Sequence, residues 1–367
     1  MHNIGLLLIG LVLLFIGGDM LVRGASRLAL ALGISRVVVG LSLVAFGTSA
    51  PEMAVSLFAS YRGQPGIAVG NVVGSNIVNI LLILGVSAIV APLAVSKRII
   101  RIEVPLMFAC SLLFLLLGYD GYLSRLDGLI LVTIFACYLF WMARTAKRDT
   151  ALEKELPLAG EQIAPSARSY LYLTGLVLTG LVGLLAGSHW LVEGAVALAR
   201  SIGVSDLIIG LTIVAVGTSL PELATSVVAS LRGERDISVG NVVGSNIFNI
   251  LSILGFSTVV SPAGLEVAPA VVRFDAPVMV AVSLACFPVF FNGFQIKRWE
   301  GALFVAYYMF YVGYLILHAS RHDALDEYTF AMRWFVLPFV MLTLTTTLFL
   351  AWRKQVWLPR RAARERG

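Results

Sequence analysis

The chain has 367 residues, of which 59% are hydrophobic and 13% are charged, and its mean hydropathy is +0.91. A soluble domain carries roughly twice that charged fraction, so the surplus apolar side chains must face lipid and a soluble globular protein is excluded. The formal net charge of +6 does not require a nucleic acid or another anionic partner, because membrane topology accounts for where the basic residues lie.

Eleven apolar runs are long enough to cross a bilayer, since about 30 Å of hydrocarbon takes roughly 20 helical residues. The runs are continuously apolar, which favours helices over the alternating strands of a barrel. In chain order, the predicted spans lie near 4–22, 35–59, 67–93, 102–119, 126–143, 169–199, 205–230, 237–262, 274–293, 299–318 and 330–352.

Two stretches of the chain repeat at an offset of 170 residues without a gap. Residues 40–60 read GLSLVAFGTSAPEMAVSLFAS, and residues 210–230 read GLTIVAVGTSLPELATSVVAS. Residues 70–85 read GNVVGSNIVNILLILG, and residues 240–255 read GNVVGSNIFNILSILG. Each unit therefore holds five spans, and an odd number places the second unit upside down in the membrane. Secondary transporters are built in this way, with the substrate site at the midplane between the repeats.

The predicted fold class is an all-α integral membrane protein with two inverted five-helix repeats, giving ten core transmembrane helices plus one extra C-terminal helix. The predicted units are a first repeat over 1–143, a cytoplasmic linker over 144–168, a second repeat over 169–319, and an extra helix with a basic cytoplasmic tail over 320–367.

The basic residues predict the orientation. With the N-terminus outside, 21 of the 27 Lys and Arg residues fall in inner segments and 6 in outer ones, which satisfies the positive-inside rule. We therefore expect a multi-pass protein of the cell inner (plasma) membrane, with its C-terminus in the cytoplasm.

Two acidic residues, Glu52 and Glu222, lie near the middle of predicted spans and correspond to each other in the repeat. Intramembrane carboxylates are costly and are by default candidates for a functional site. Each follows a proline, Pro51 or Pro221, which leaves the carbonyl four residues earlier without its helical partner. Such a break is tolerated in a membrane where the freed backbone lines a cavity.

Hydroxyl and amide groups accompany the two carboxylates. Thr48 and Ser49 lie four and three residues before Glu52, so all three share one helix face. Hard cations such as calcium and sodium take oxygen ligands of this kind. The same spacing and the motif G-S-N-I-x-N add the other candidates: Thr218, Ser219, Ser75, Asn79, Ser245 and Asn249. Asn76 and Asn246 are one step past the serines, so they are expected to point elsewhere and to cap or stabilise the break.

Two carboxylates facing each other would balance one divalent cation or two monovalent ones. That charge balance indicates exchange, with one calcium ion competing against sodium ions or protons for shared oxygens. Two close carboxylates also repel, so an empty site should take up protons.

The pairing of GTSAPE with GSNIVN, and of GTSLPE with GSNIFN, resembles the two alpha repeats of the calcium/cation antiporter superfamily, in particular its short prokaryotic sodium/calcium exchangers. The resemblance covers the chain to about residue 319. It implies four ion sites in a central diamond, and a first and sixth helix that slide as a gate across the other eight. It implies calcium ligands at Glu52, Glu222, Thr48 and Thr218. For sodium it adds Ser49, Ser75, Ser219, Ser245, Asn79 and the backbone carbonyls of Ala45 and Ala215.

Two features depart from the family pattern. Many sodium/calcium members carry an aspartate where this chain has Asn249, whereas several proton-coupled relatives carry asparagine there, so the coupling ion stays open. The eleventh span also has no counterpart in the ten-helix pattern.

Two other function classes are less consistent with the sequence. A passive cation channel would also use intramembrane oxygens, but a pore usually runs through several subunits. An intramembrane enzyme would need a nucleophile with a base or a metal motif, and the four histidines form no such set. We therefore expect a monomeric, non-enzymatic antiporter without a cofactor. It would exchange calcium for sodium within a lipid bilayer, with calcium/proton or other cation/proton exchange as the alternative.

Overall fold

The computed structural model of the chain describes residues 2–153, 167–204, 206–209, 212–213, 215–291, 293–320, 322, 324–331, 334 and 345. Almost all of this part is helical. The helices are α1 (His2–Leu32), α2 (Arg36–Thr48), α3 (Ala50–Tyr61), α4 (Pro65–Val90), α5 (Ile99–Leu117), α6 (Arg125–Glu153), α7 (Ala167–Ser201), α8 (Asp206–Ile209), α9 (Ala215–Gly217), α10 (Leu220–Leu231), α11 (Arg235–Val260), α12 (Val271–Phe291), α13 (Arg298–Ala319) and α14 (Leu325–Ala331). Four two-residue strands complete the elements: β1 (Leu93–Ala94), β2 (Tyr122–Leu123), β3 (Leu265–Glu266) and β4 (Gln295–Ile296).

Membrane-spanning helices dominate the described residues. Eight of them are long and apolar enough to cross a bilayer, and the number becomes nine if α2 and α3 form one span bent by 49°. The prediction of an all-α membrane protein is confirmed. In the predicted seventh span, α10 is described while residues 210–211 and 214 are not, and the predicted eleventh span over 330–352 lies largely outside the described residues.

Two helices extend beyond their predicted ends. The first span was expected to stop at residue 22, but α1 continues to Leu32, because Arg23 pairs with Asp19 one turn earlier at 2.9 Å and can remain on the helix. Helix α6 likewise runs to Glu153, ten residues into the predicted linker that starts at residue 144.

The strands join the two halves at opposite ends of the bundle and were not predicted. Strand β1 pairs antiparallel with β4, and Leu93 lies opposite Ile296. Strand β2 pairs antiparallel with β3, and Tyr122 lies opposite Glu266. Because α5 crosses the bundle between β1 and β2, the two pairs define a β1–β4 end and a β2–β3 end. The residues before α4 therefore lie at the β2–β3 end, and those before α11 at the β1–β4 end.

Helices α4 and α11, which carry the repeated G-S-N motif, lie at the centre of the bundle. Of their most apolar stretches, 78% and 89% of the residues are buried, against 44% or less for the other spans of the described chain. Large apolar side chains such as Phe15, Leu116 and Leu171 are exposed on the outer helices. An apolar surface of this kind is solvated by lipid, so the central pair is shielded from the bilayer.

Helices α1 and α7 pack along a seam of glycines. Gly10, Gly17 and Gly24 recur every seven residues on α1, and Gly180, Gly187 and Gly194 do so on α7. A Cβ atom at Gly17 would lie 2.7 Å from the backbone nitrogen of Leu184, and one at Gly180 would lie 2.6 Å from that of Leu21. Only glycine permits so close an approach of two backbones, so α1 and α7 form one closely packed pair.

Ion pairs fix α1 and α2 to the turn between α10 and α11 at the β1–β4 end. Asp19 pairs with Arg232. Glu234 pairs with Arg36 at 3.0 Å and accepts a hydrogen bond from Ser26 at 2.8 Å. These contacts connect the first half to the second at this end.

The glycine seam yields a first prediction. Gly17→Ala should lower the thermal stability of the detergent-purified protein, because the added methyl group meets the α7 backbone, and overpacking costs about 1–3 kcal/mol. Gly5→Ala on the same helix is the matched control, since a Cβ there meets nothing within 4 Å. Equal melting temperatures for the two variants would contradict the close packing of α1 and α7.

Candidate functional site

The helix break predicted from the G-T-S-x-P-E motif is present in both halves. Helix α2 ends at Thr48 and α3 begins at Ala50, while Ser49 between them has φ −81° and ψ 10°. In the second half Ser219 has φ −90° and ψ 8° and precedes α10. The carbonyl of Gly217, which Pro221 deprives of its helical partner, accepts a hydrogen bond from Ser188 on α7 at 2.6 Å. The break thus creates a backbone acceptor that a neighbouring helix must satisfy.

The two carboxylates are buried, and each is held by the opposite half. Glu52 and Glu222 are each 1% exposed. Ser219 donates to Glu52 Oε1 at 2.9 Å, and Ser49 donates to Glu222 Oε1 at 2.8 Å. The second oxygen of each carboxylate, Oε2, is buried and has no hydrogen-bond donor among the described residues. The crossed serine contacts bring the two repeated motifs together, as their symmetry predicted.

Three more predicted ligands present buried oxygens without a donor in the described part of the chain: Ser75 Oγ, Asn79 Oδ1 and Asn249 Oδ1. Leaving a buried polar atom unpaired costs about 1–3 kcal/mol, more for a charged group. Together with the two carboxylate oxygens they make five unpaired acceptors from four segments of the chain. A hard cation would satisfy such a set, because carboxylate, hydroxyl and amide oxygens are its preferred ligands.

The remaining predicted ligands lie beside this set. Ser245 Oγ is 3.0 Å from Ser49 Oγ. The carbonyl of Ala45 accepts the backbone N–H of Ser49 at 3.0 Å, at the break itself. Ala215 is the first residue of α9, one turn before the break in the second half. The role of each of these residues as an ion ligand stays a prediction.

Asn71 and Asn241, which sequence reasoning did not select, position the carboxylate segments. Asn71 Nδ2 donates to the backbone carbonyl of Glu52 at 3.1 Å and to Ser56 Oγ at 2.9 Å, and Asn71 Oδ1 accepts from Thr218 at 3.4 Å. In the second half, Asn241 Nδ2 donates to the Glu222 carbonyl at 3.4 Å and to Ser226 Oγ at 3.0 Å, and Asn241 Oδ1 accepts from Thr48 Oγ1 at 3.1 Å. The signal was available, because each asparagine lies four residues, one helical turn, before the motif serine.

Asn76 and Asn246 do not point away from the site, contrary to the expectation that they cap the break. Asn76 Oδ1 accepts from Asn249 Nδ2 at 3.0 Å, and Asn246 Oδ1 accepts from Asn79 Nδ2 at 2.9 Å. The expectation failed because it considered one helix alone. Where α4 and α11 cross, Asn76 and Asn79 both reach the other helix.

The helices change their winding at the predicted amide ligands. A π-helical turn begins at Asn79 and runs over Asn79–Leu84, and its counterpart runs over Asn249–Leu254. π-helical turns are rare in proteins overall, and those that occur often lie at functional sites. The equivalent turns place the two amides at corresponding points of the two halves.

The two halves are unequally buried on the approach to the site. On α4, Ile67 is 52% exposed and Asn71 is half-buried. On α11, the equivalent residues Ile237 and Asn241 are fully buried. The α4 segment in question lies towards the β2–β3 end and the α11 segment towards the β1–β4 end. The α4 approach to the site is therefore less covered by the rest of the chain than the α11 approach.

Another buried carboxylate, Glu103, was not predicted from the sequence, and its surroundings differ from those of Glu52 and Glu222. It accepts from Arg98 Nε at 3.1 Å and from the Tyr138 hydroxyl at 2.8 Å, so both of its oxygens are paired. In the second half Asp275 accepts from Tyr311 at 2.8 Å. Both oxygens of Glu103 are paired within its own half, whereas Glu52 and Glu222 each keep one unpaired oxygen among the described residues.

Comparisons with known proteins agree with this geometry. The family model described as "Sodium/calcium exchanger protein" matches residues 2–144 and 172–317. The chain is 44% identical over 278 residues to a putative antiporter, CaxA, of Alkalimonas amylolytica, covering 76% of this chain and 86% of the relative. It is 39% identical over 285 residues to the inner membrane protein YrbG of Escherichia coli K12, again covering 76% and 86%.

A solved structure is also similar. The sodium-calcium exchanger NCX_Mj, soaked with sodium and strontium, superposes with a TM-score of 0.72 at 34% identity. The match covers 85% of this chain and 98% of NCX_Mj. The fold of this chain is therefore that of an inverted-repeat membrane transporter.

The site yields a second prediction. Glu52→Gln and Glu222→Gln should each reduce calcium transport in proteoliposomes by on the order of 100-fold or more, because breaking up a buried charged cluster costs about 3–5 kcal/mol. Both variants should elute as folded protein in size-exclusion chromatography. Glu193→Gln makes the same chemical change at a side chain that is 55% exposed, and it should transport normally. Wild-type transport by either buried variant would remove that residue from the site.

Proposed function

Because the chain belongs to the sodium/calcium exchanger family, we propose that it is a secondary active antiporter that exchanges calcium for sodium across the membrane. Both ions compete for the oxygens of one midplane site. The observation that supports this most strongly is the pair of buried carboxylates, Glu52 and Glu222, each held by a serine of the opposite half and each keeping one oxygen unpaired.

Charge balance explains the exchange. Two carboxylates carry two negative charges, which one calcium ion neutralises and which two monovalent cations neutralise equally well. Since an uncompensated buried charge is strongly unfavourable, calcium leaves readily only when other cations replace it. Obligatory replacement of this kind is antiport.

The ligand assignment follows the predicted residues. Calcium is bound by Glu52, Glu222, Thr48 and Thr218. Sodium uses the same carboxylates and adds Ser49, Ser75, Ser219, Ser245, Asn79, Asn249 and the carbonyls of Ala45 and Ala215. Within the described residues no group of three or more His, Cys, Asp and Glu side chains could hold a metal ion, so hydroxyl and amide oxygens must complete the shell. The transporter is proposed to act as a monomer, without a cofactor and without enzymatic activity.

Alternating access is supported by the asymmetry of the two ends. The approach to the site along α4, towards the β2–β3 end, is less covered by the chain than the approach along α11. At the other end, the Asp19–Arg232 and Glu234–Arg36 ion pairs connect α1 and α2 to the second half. By the 170-residue offset, the counterparts of Asp19, Arg232 and Glu234 are His189, Arg62 and Gln64. These residues cannot form the same ion pairs, so opening the β1–β4 end requires separation of two ion pairs whose sequence counterparts cannot pair in the same way.

A calcium/proton antiporter is the second candidate, and Asn249 is the observation that favours it. Asparagine offers an oxygen without a titratable charge. The family resemblance of the sequence associates asparagine at this position with several proton-coupled members. Sodium is favoured here because Ser49, Ser75, Ser219 and Ser245 preserve the hydroxyls that sodium sites need.

Flux measurements decide between the two ions. Purified protein in proteoliposomes should take up calcium when a sodium gradient is imposed, and should not do so under a pH gradient in the complete absence of sodium. Asn249→Asp should still bind calcium but should make transport more pH-dependent, since it adds a third carboxylate beside the first two. Calcium uptake driven by the pH gradient alone would establish proton coupling instead.

The orientation yields a further prediction. The relative in Escherichia coli is named an inner membrane protein. The distribution of basic residues predicts that the β1–β4 end of this chain lies in the cytoplasm. A reporter fused after Gly367 and a tag inserted near Leu158 should both be cytoplasmic. An external reporter after Gly367 would mean that the predicted eleventh span is missing or that the orientation is inverted.

A further inference from the structure

Four asparagines meet where α4 and α11 cross, and each is 1% exposed: Asn76, Asn79, Asn246 and Asn249. A carboxamide has an oxygen side that accepts hydrogen bonds and an NH2 side that only donates them. A cation is bound by the oxygen side alone. The use of Asn79 and Asn249 as ligands therefore depends on which way their amides face.

A backbone carbonyl fixes the orientation of the side-chain amides of Asn246 and Asn79. Asn246 Nδ2 lies 3.3 Å from the backbone oxygen of Asn76, which can only accept. The reversed amide would place oxygen against oxygen, so Asn246 must present its NH2 group there. Its Oδ1 then faces Asn79 Nδ2 at 2.9 Å, and Asn79 must donate. The oxygen of Asn79 is thereby turned the other way, where it is buried and unpaired.

The second series of amide contacts repeats the first with the two halves exchanged. Asn76 Nδ2 lies 3.4 Å from the backbone oxygen of Asn246, and Asn76 Oδ1 accepts from Asn249 Nδ2 at 3.0 Å. The oxygen of Asn249 is consequently free and unpaired. Thioether sulfurs reinforce both directions, since Met279 Sδ and Met107 Sδ each lie 3.6 Å from the NH2 group of Asn76 and Asn246, respectively.

We propose that Asn76 and Asn246 are positioning residues that turn the side-chain oxygens of Asn249 and Asn79, respectively, into the ion site. The pairing is crossed, because each positioning residue acts on the ligand of the other helix and not on the one three residues away on its own. The identity of the ions rests on the proposed function, whereas the crossed pairing rests on the contacts alone.

Crossed pairing distinguishes this role from simple packing. Asn76→Ala removes the acceptor for Asn249 Nδ2, so the Asn249 amide can rotate and offer its NH2 group to the cation. The backbone carbonyl that orients Asn246 is retained in Asn76→Ala, so Asn79 keeps its direction. A residue that only filled space would affect both ligands alike.

Double-mutant cycles on the full-length purified protein test the proposal. The readouts are the equilibrium dissociation constant for radioactive calcium and the sodium concentration that displaces half of it. Asn76→Ala and Asn246→Ala should each weaken one or both affinities by roughly threefold to tenfold. In an Asn249→Ala background, Asn76→Ala should add nothing further, whereas Asn246→Ala should keep its full effect. In an Asn79→Ala background, Asn246→Ala should add nothing further, whereas Asn76→Ala should keep its full effect.

Tyr138→Phe is the control, since it removes a buried 2.8 Å hydrogen bond, to Glu103, that involves neither the four asparagines nor the two methionines beside them. It should leave both affinities unchanged. If Asn76→Ala does not fold, Asn76→Ser replaces it, because serine stays polar but is too short to reach Asn249.

The outcomes separate the two proposals. Three results would overturn the crossed pairing. The effects of Asn76→Ala and Asn249→Ala, or of Asn246→Ala and Asn79→Ala, could be additive. Alternatively, asparagines of the same helix could couple, or Asn76→Ala and Asn246→Ala could both leave the affinities unchanged. Calcium that binds but is not displaced by sodium would instead overturn sodium coupling. The crossed pairing would then be tested by the same cycles read from thermal stability, where Asn76 should couple to Asn249 and not to Asn79.

Discussion

Burial of two carboxylates at the centre of a membrane protein is the constraint on which the rest of the structure depends. Glu52 and Glu222 are almost fully shielded from solvent, and an isolated charge in such surroundings is strongly unfavourable. One oxygen of each is stabilised by a serine, and the other is left without a donor in the described chain. Bound cations would compensate these carboxylates, and this requirement supports the proposal of exchange over free passage.

The inverted duplication makes this arrangement possible. Each half supplies a carboxylate but not the serine that holds it, so neither half forms the site alone. The same crossing recurs between Asn71 and Thr218, between Asn241 and Thr48, and in the amides where α4 meets α11. Because these contacts come in symmetry-related pairs, a difference between the ends, such as the ion pair of Asp19 with Arg232, can bias the equilibrium between two open states.

Much of this arrangement could be predicted from particular residues. The 170-residue offset gave the duplication, and Pro51 and Pro221 gave the helix breaks beside the carboxylates, because both signals are local in the sequence. The roles of Asn76 and Asn246 could not be predicted, since they depend on where α4 and α11 cross. The length of α1 was missed because Asp19 compensates Arg23, and two-residue strands such as β1 carry too few residues to give a periodic pattern.

Counting bound calcium tests most directly whether the two halves share one site. Equilibrium binding of radioactive calcium to the purified wild type should saturate at one ion per chain, and an excess of sodium should displace that ion completely. Glu52→Gln and Glu222→Gln should each eliminate this binding entirely, because one ion needs both carboxylates. Two calcium ions per chain, with one of them surviving in each single variant, would contradict a shared site and show that each half binds calcium independently.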